Sequence, residues 1–349
     1  MHFDNSTFFL VLFFSFASTV LATSSILALN LFSNIQDIPN KRSLHTKAKP
    51  RIGGIIFMPI ILLFWLISDL IKLSEITLLN LMIVTISFMI ISLIDDLKNI
   101  SAMVRIIFHF SLVVFFILAI NLNFNIFYLC FIIIFLVWMT NLFNFMDGSD
   151  GLAAGMAVIG FSSYFIVAYS AGDLDFAIKN GIIAMCLLGF LFFNFSPAKI
   201  FMGDVGSISL GFLSGAIGLI GLQKDIWPFW FPLIIFSPFI VDATVTLVKR
   251  IIKREKFWQA HRTHYYQRLI LMGWSHKKTA YILYLIMIFL FLISFFIMNN
   301  TSISCCQIYA ANILNSLLAI VFICYSIALI YIDKKWNNFL SKTKDVNEQ

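Results

Sequence analysis

The sequence predicts an all-α, polytopic membrane protein with about eleven transmembrane helices. Of 349 residues, 60% are apolar, 12% are charged and 40 are Phe. A soluble domain runs nearer half apolar and a quarter charged, so the surplus apolar surface needs hydrocarbon as its solvent. Stretches such as 106–120, 126–139 and 280–298 carry almost no charge over most of a bilayer's thickness, and a spanning helix needs roughly 20 apolar residues. The period-2 alternation that a membrane β-barrel requires is absent from these stretches.

The apolar spans fall near 8–31, 54–71, 76–94, 105–120, 126–141, 152–171, 179–193, 205–222, 227–248, 280–298 and 308–332. Residues 1–7 hold no Lys or Arg ahead of the first span and no convincing cleavage site follows it. A retained first helix is therefore expected rather than a removable signal peptide. The connections alternate in charge. Segments 33–53, 95–104, 142–151, 194–204, 249–279 and the tail from 333 carry 21 of the 24 Lys and Arg, counting Arg105 at a loop edge. The opposite set carries only Lys72, Lys179 and Lys224. The positive-inside rule then places the first set in the cytoplasm, with the N-terminus periplasmic and the C-terminus cytoplasmic. The net charge of +7 reads as this topological signal plus attraction to anionic membrane lipids, and calls for no nucleic acid. No repeat or low-complexity linker divides the chain, so 1–349 reads as a single domain. The five cysteines form no metal-binding spacing, and the adjacent Cys305 and Cys306 have no account.

The chemistry collects where the acids sit. Asp95, Asp96, Asp147, Asp150, Asp204 and Asp242 all lie at or near the cytoplasmic ends of spans. Carboxylates at membrane depth are expensive and tend to mark function. Asp95-Asp96 close the third span, where each negative charge opposes the helix dipole at a cost of about 0.3–1 kcal/mol. Two adjacent carboxylates also repel unless a metal or an Arg or Lys lies between them. A solvated helix end answered by Lys98 is the plain reading; a divalent cation relieves both penalties at once and is the expectation.

Asn141, Asn144, Asp147, Gly148, Asp150 and Gly151 place two carboxamides and two carboxylates in a short glycine-containing loop. Oxygen-only ligands of this kind suit a hard cation with phosphate, although Asx caps in a turn explain part of the run. Between the seventh and eighth spans come Asn194, Lys199, Phe201, Gly203, Asp204 and Gly206. Asp204 is a candidate helix N-cap. The set as a whole reads as a nucleotide pocket at a helix N-terminus. The first basic loop holds Lys47, Lys49 and Arg51 and ends in Gly53-Gly54; charge alone explains neither its prolines nor its glycines. In the longest loop, His261 and His264 would share a face of a helix. A zinc site lacks completing ligands there, an interfacial basic-aromatic helix is the plain alternative, and a phosphate clamp by Arg262 and Arg268 is preferred.

In this order, and on one side of eleven spans, Asp95-Asp96, the run 141–152, the run 197–207 and the run 261–267 resemble the polyprenyl-phosphate N-acetylhexosamine-1-phosphate transferases, over roughly residues 35–280. The basic loop ending in Gly53-Gly54 is similar to that family's first conserved loop. The resemblance implies helices around a cytoplasmic cleft in an inner membrane, where Mg²⁺ (or Mn²⁺), a UDP-N-acetylhexosamine and undecaprenyl phosphate meet. It implies Asp204 as the principal metal ligand and Asp95 and Asp96 beside metal and lipid phosphate. Phe201 would stack on uracil, with Asn194 and Asp150 near the nucleoside. Lys47, Asn141, Asn144 and Asp147 would line the cleft, and His261, His264 and Arg262 would contact diphosphate or sugar. Assembly as a homodimer is left open.

The peptidoglycan branch, phospho-MurNAc-pentapeptide translocase, usually carries three consecutive histidines where this chain has His261-Arg262-Thr263-His264. The departure favours the branch that uses small N-acetylated hexosamines to start O-antigen or other surface glycans, with the translocase as the alternative. A transporter or flippase would gather its polar residues near the bilayer midplane rather than at one face.

Overall fold

The computed structural model describes residues 5–32, 35–39, 44, 46–70, 76–98, 100–122, 124–256, 261–301 and 307–347. Residues 40–43 and His45 of the first basic loop, Lys72, residues 257–260 and the pair Cys305-Cys306 lie outside the described residues. The chain is helical almost throughout. Its elements are α1 (Asn5–Ala28), α2 (Gly53–Leu70), α3 (Ile76–Lys98), α4 (Ala102–Ala119), α5 (Ile126–Met146), α6 (Leu152–Ser170) and α7 (Leu174–Asn194). They continue as α8 (Gly203–Gln223), α9 (Trp230–Ile235), α10 (Ser237–Ile252), α11 (Tyr265–Leu271), α12 (His276–Thr301) and α13 (Gln307–Asn347).

Eight of these helices are long and apolar enough to cross a bilayer, judged on the described residues: α1, α3 to α8 and α12. Three expected spans differ from that plain form. Helix α2 keeps the expected extent, Gly53–Leu70, but carries Pro59 within it. The span expected at 227–248 is not one helix but two, α9 and α10, which break at Phe236 (φ −90°, ψ 10°). Pro238 at the start of α10 explains the break, because its ring clashes with the preceding turn and it brings no N–H to the helical ladder. The last helix runs on to Asn347 rather than ending near 332; Lys334 and Lys335, which face water, are good helix formers.

The centre of the bundle is α8, buried along nearly its whole length. Apolar side chains gain little by meeting each other in lipid, so close approach of small residues drives such packing. Gly211 faces the backbone carbonyls of Met139 and Thr140 on α5, and a Cβ there would lie 2.5 Å from the Met139 oxygen. Gly206 and Gly54 do the same between α8 and α2. Around this axis stand α2, α3, α5 and α6, with α1 and α7 beyond.

Two short strands interrupt the otherwise helical prediction. β1 (Gln36–Asp37) pairs antiparallel with β2 (Lys49–Pro50), Gln36 opposite Pro50 and Asp37 opposite Lys49. The chain from Pro50 to Gly54 then runs along the segment that leads into α8. The Phe201 amide donates to the Pro50 carbonyl (2.8 Å), and the amides of Gly53 and Gly54 donate to the carbonyls of Phe201 (2.9 Å) and Met202 (2.7 Å). The first basic loop is thereby registered against the loop before Asp204.

Gly54→Ala should be costly, because the new Cβ would sit 2.1 Å from the Gly206 amide nitrogen. Backbone cannot yield as a side-chain tip can, so a loss of about 1–3 kcal/mol is expected. Thermal unfolding in detergent should show a clearly lower midpoint; an unchanged midpoint would contradict this contact.

Candidate active site

The loop register brings Arg51 to the last turn of α3 and the first turn of α8. The Arg51 guanidinium Nη2 stands 3.2 Å from Asp96 Oδ1 and bonds Asp204 Oδ1. Arg105, in the first turn of α4, donates from Nη1 to Asp95 Oδ2 at 2.8 Å and lies 3.7 Å from Asp204 Oδ2. The result is an alternating chain: Asp96, Arg51, Asp204, Arg105, Asp95. Asp95 also accepts the Ile100 amide at 2.7 Å. The paired carboxylates that needed a cation between them thus have two guanidinium groups nearby.

Asp204 is not an N-cap. Met202 holds that position and the carboxylate points to the arginines instead, although its place in the first turn still suits the helix dipole. Asp95 and Asp96 sit against the dipole at the end of α3 and depend on the arginines. Each pair at this range is worth about 4 kcal/mol of gross attraction at an effective dielectric near 20. Desolvating each ion costs several kcal/mol, so a buried network of this kind adds little net stability. Five charged groups gathered at one helix end therefore call for a purpose beyond holding the fold.

Two further features belong to this cluster. Neither carboxylate oxygen of Asp96 has a hydrogen bond of normal geometry, though both are buried. Asp147, which ends α5, has its carboxyl pushed well above the usual range by burial, with Arg51 pulling it down and Asp204, Asp37 and Asp96 pushing it up. Arg51 in turn is opposed by burial, yet Asp204, Asp96, Asp37 and Asp147 outweigh that and hold the guanidinium above its ordinary value.

Beside the cluster, Asp150 Oδ2 accepts the Ala198 amide at 3.0 Å, and Asp150 pairs with Lys49 Nζ at 3.3 Å. That ammonium lies 4.8 Å from the centre of the Phe201 ring. Lys49 thus occupies the place expected of Lys47, whose side chain is exposed; alternation along an extended strand turns 47, 49 and 51 to one face, and the β-pairing selects Lys49 and Arg51. Asn194 is buried and donates to the Ile200 carbonyl at 2.9 Å, which ties its own loop, and its Oδ1 has no partner. Asn141 donates back to Val137 in α5 at 2.8 Å. Both carboxamides therefore direct their donors to backbone rather than to the cleft. Asn144 is partly buried in the last turn of α5, and its carbonyl accepts the Asp147 amide at 3.3 Å.

The histidines come together, but not on a helix. His264 is the extended residue (φ −61°, ψ 150°) that precedes α11, and His261 lies in the loop before it. Their rings stack at 4.9 Å between centroids, and His264 also stacks on Phe145 at 6.0 Å. Asp242 of α10 organises this corner. Its Oδ1 accepts the Tyr265 amide (2.9 Å) and meets His264 Nδ1 (3.2 Å), while Oδ2 accepts the Tyr266 amide (2.9 Å). The Tyr266 hydroxyl then donates to the Phe145 carbonyl at 3.0 Å, which joins α11 to the turn holding Asp147. Arg268 is not a phosphate clamp: it donates to the Thr263 carbonyl (2.7 Å) and to Asp333 (2.8 Å). Arg262 is exposed.

Sequence reasoning counted Asp242 among the acids at span ends but gave no particular role to it, nor to Lys49, Arg51 or Arg105. Asp242 had a further signal, as the one ionisable residue of the span 227–248. Lys49 and Arg51 had none beyond the general basic charge of their loop.

Among the described residues, no three Asp, Glu, His or Cys side chains converge as a ready ligand set. Mg²⁺ asks for less, usually one or two carboxylates with substrate phosphates and water. Asp204 and the buried oxygens of Asp96, which carry an ion pair but no hydrogen bond of normal geometry, fit that demand.

Residues 78–222 match the family model for glycosyl transferase family 4. The chain is 30% identical over 283 residues to a probable undecaprenyl-phosphate N-acetylglucosaminyl 1-phosphate transferase of Bacillus subtilis (strain 168), covering 76% of this chain and 78% of that protein. It is 33% identical to a phospho-N-acetylmuramoyl-pentapeptide-transferase of Halalkalibacterium halodurans, over 46% of this chain and 49% of that one. A Streptococcus equi subsp. zooepidemicus phospho-N-acetylmuramoyl-pentapeptide-transferase is 38% identical over 35% of each chain.

Arg51→Ala leaves Asp96 and Asp204 facing each other without their guanidinium. Removing one partner of a fully buried pair costs about 3–5 kcal/mol; Arg51 is partly exposed, so roughly half of that is expected, read as a lower unfolding midpoint that Arg51→Lys partly restores. Burial, aided by His264 and Arg250, pushes the His261 imidazole down to about 4. The fold thus favours neutral His261, a contribution complete above the ordinary pKa of about 6.5 and lost as pH falls through about 4. Between those values, His261→Gln should lose stability less steeply with acid than the parent; identical slopes would remove His261 from this role.

Proposed function

The chain belongs to glycosyl transferase family 4, and from that premise we propose that it transfers an N-acetylhexosamine-1-phosphate from a UDP-sugar to undecaprenyl phosphate, releasing UMP. The alternating chain of Asp96, Arg51, Asp204, Arg105 and Asp95 carries the reading, because it concentrates both signs of charge where a diphosphate and a phosphate must be brought together. The proposed setting is a bacterial inner membrane with this cluster facing the cytoplasm, as the charge bias of the loops indicates. The transfer would be the first membrane step of O-antigen or another surface glycan.

Phosphoryl transfer of this kind depends on positioning and charge neutralisation more than on covalent help. A lipid-phosphate oxygen would attack the β-phosphorus in line while the bond from that phosphorus to the oxygen bridging to UMP breaks. A phosphate monoester has a second pKa near 6, so the nucleophile is already mostly deprotonated at neutral pH and no aspartyl intermediate is needed. Mg²⁺ or Mn²⁺, held by Asp204 with Asp96 beside it, would offset negative charge on the diphosphate. Arg51 and Arg105 can turn from the carboxylates to phosphate oxygens, since a guanidinium forks onto either. Lys49 and Phe201 offer a cation and a ring to the nucleotide, with Asp150 holding Lys49 in place. Asp242 positions His264, and the stacked His261, held neutral and accepting the Thr263 amide at Nδ1, can donate its Nε2–H to a phosphate or sugar oxygen.

The broad match to the N-acetylglucosaminyl relative, against matches of half a chain or less to the translocases, favours UDP-N-acetylglucosamine as the first donor to try. Membranes containing the protein, given radiolabelled UDP-N-acetylglucosamine, undecaprenyl phosphate and Mg²⁺, should form a lipid-linked sugar phosphate and UMP. Chelation should stop the reaction, and Mg²⁺ or Mn²⁺ should restore it. Asp204→Asn should lower turnover about a hundredfold or more, the scale of losing one electrostatic contact in such a site, without reducing membrane insertion. No lipid product and no UMP from any UDP-N-acetylhexosamine would sink the proposal.

A further inference from the structure

A second polar cleft lies away from the carboxylate cluster, between the C-terminal turn of α10, the loop leading into α11 and the charged part of α13. Its volume is about 400 Å³, the size of a small-ligand site. Four cations line it, Lys249, Arg250, Lys253 and Arg268, against two carboxylates, Glu255 and Asp333. Part of this lining is a clasp that docks α13. Lys249 bonds Asp333 and donates to the Tyr265 hydroxyl (2.6 Å), and Arg268 reaches Asp333 at 2.8 Å.

The clasp does not account for the rest. Arg250 pairs with Glu255 (2.9 Å) and donates to the Lys256 carbonyl (3.0 Å), yet its Nε is buried with no hydrogen-bond partner. Lys253 stands exposed at the rim, so the lining keeps a surplus of two positive charges. The rim is also apolar: Ile252 is 74% exposed and Leu340 42% exposed, and both line the cleft. Here α13 passes from its apolar stretch to Asp333, Lys334 and Lys335, which is where a bilayer's surface would lie.

We propose that this cleft binds the phosphate of an anionic membrane-lipid headgroup, with Arg250 and Lys253 contacting the phosphate and Ile252 flanking the acyl chains. A soluble phosphate has no use for the apolar rim, whereas basic pockets between helices at the cytoplasmic surface suit anionic headgroups. The inference rests on the membrane setting alone, and its test reads lipid retention rather than sugar transfer, so either can fail without the other.

Native mass spectrometry of the full chain, released from detergent with phosphatidylglycerol or phosphatidylcholine, tests it. Phosphatidylglycerol should be retained preferentially. The double change Arg250→Gln and Lys253→Gln should weaken that retention roughly thirtyfold, as expected for two cations beside an anionic surface. Lys253→Gln alone, at an exposed position, should weaken it several-fold with no change in unfolding midpoint. Arg254→Gln, which removes the same charge from a residue outside the lining, should leave retention as it was. Equal retention of both lipids, an equal loss with Arg254→Gln, or full displacement by millimolar inorganic phosphate would each overturn the proposal.

Discussion

Three backbone hydrogen bonds between residues 50–54 and 201–202 set the register on which the rest of the site depends. They are short-range and directional, and they join two loops about 150 residues apart in sequence. Because side chains alternate along an extended segment, this register sends Lys49 toward Asp150 and Phe201, and Arg51 into the gap between Asp96 and Asp204. A slip of one residue would turn both cations away. The glycines at 54 and 206 make the contact close enough for the bonds to form.

The charged chain that results is a poor device for stability and a good one for chemistry. Buried ion pairs gain little net free energy once desolvation is counted, and the helix end of α3 is an unfavourable place for two carboxylates. What the arrangement does provide is a reserve of both charges around one point; in the proposed transfer these groups would exchange protein partners for phosphate oxygens and a cation. Asp242 has a comparable role at the other edge. By accepting two amides at the start of α11 and meeting His264 Nδ1, one carboxylate sets both a helix direction and the orientation of an imidazole.

Membership of glycosyl transferase family 4 fits this division of labour. The long helices, packed through small residues on α8, supply a frame, and the loops and helix ends on one side carry the clustered charges. The break between α9 and α10 belongs to the same scheme: the helix that carries Asp242 starts anew after Phe236, so its direction is not dictated by the segment before it.

Much of the fold was legible without coordinates, because burial in lipid writes itself as long apolar runs. Asp95, Asp96, Asp147, Asp150 and Asp204 were legible as candidate residues for a related reason: a carboxylate near hydrocarbon is too costly to be incidental. Partner choice was not legible. Lys47 and Lys49 are the same residue type two positions apart, and only the strand register says which reaches Asp150. Asn141 and Asn194 have the composition of ligands, yet backbone carbonyls nearby take their donors. Arg268 looks like a phosphate clamp until α13 brings Asp333 against it. The sequence by itself determined a helical membrane protein with its acids and bases at one end, since those follow from transfer free energies residue by residue. Only the tertiary structure decided which acid meets which base, because that rests on hydrogen-bond register and packing between segments far apart in the chain.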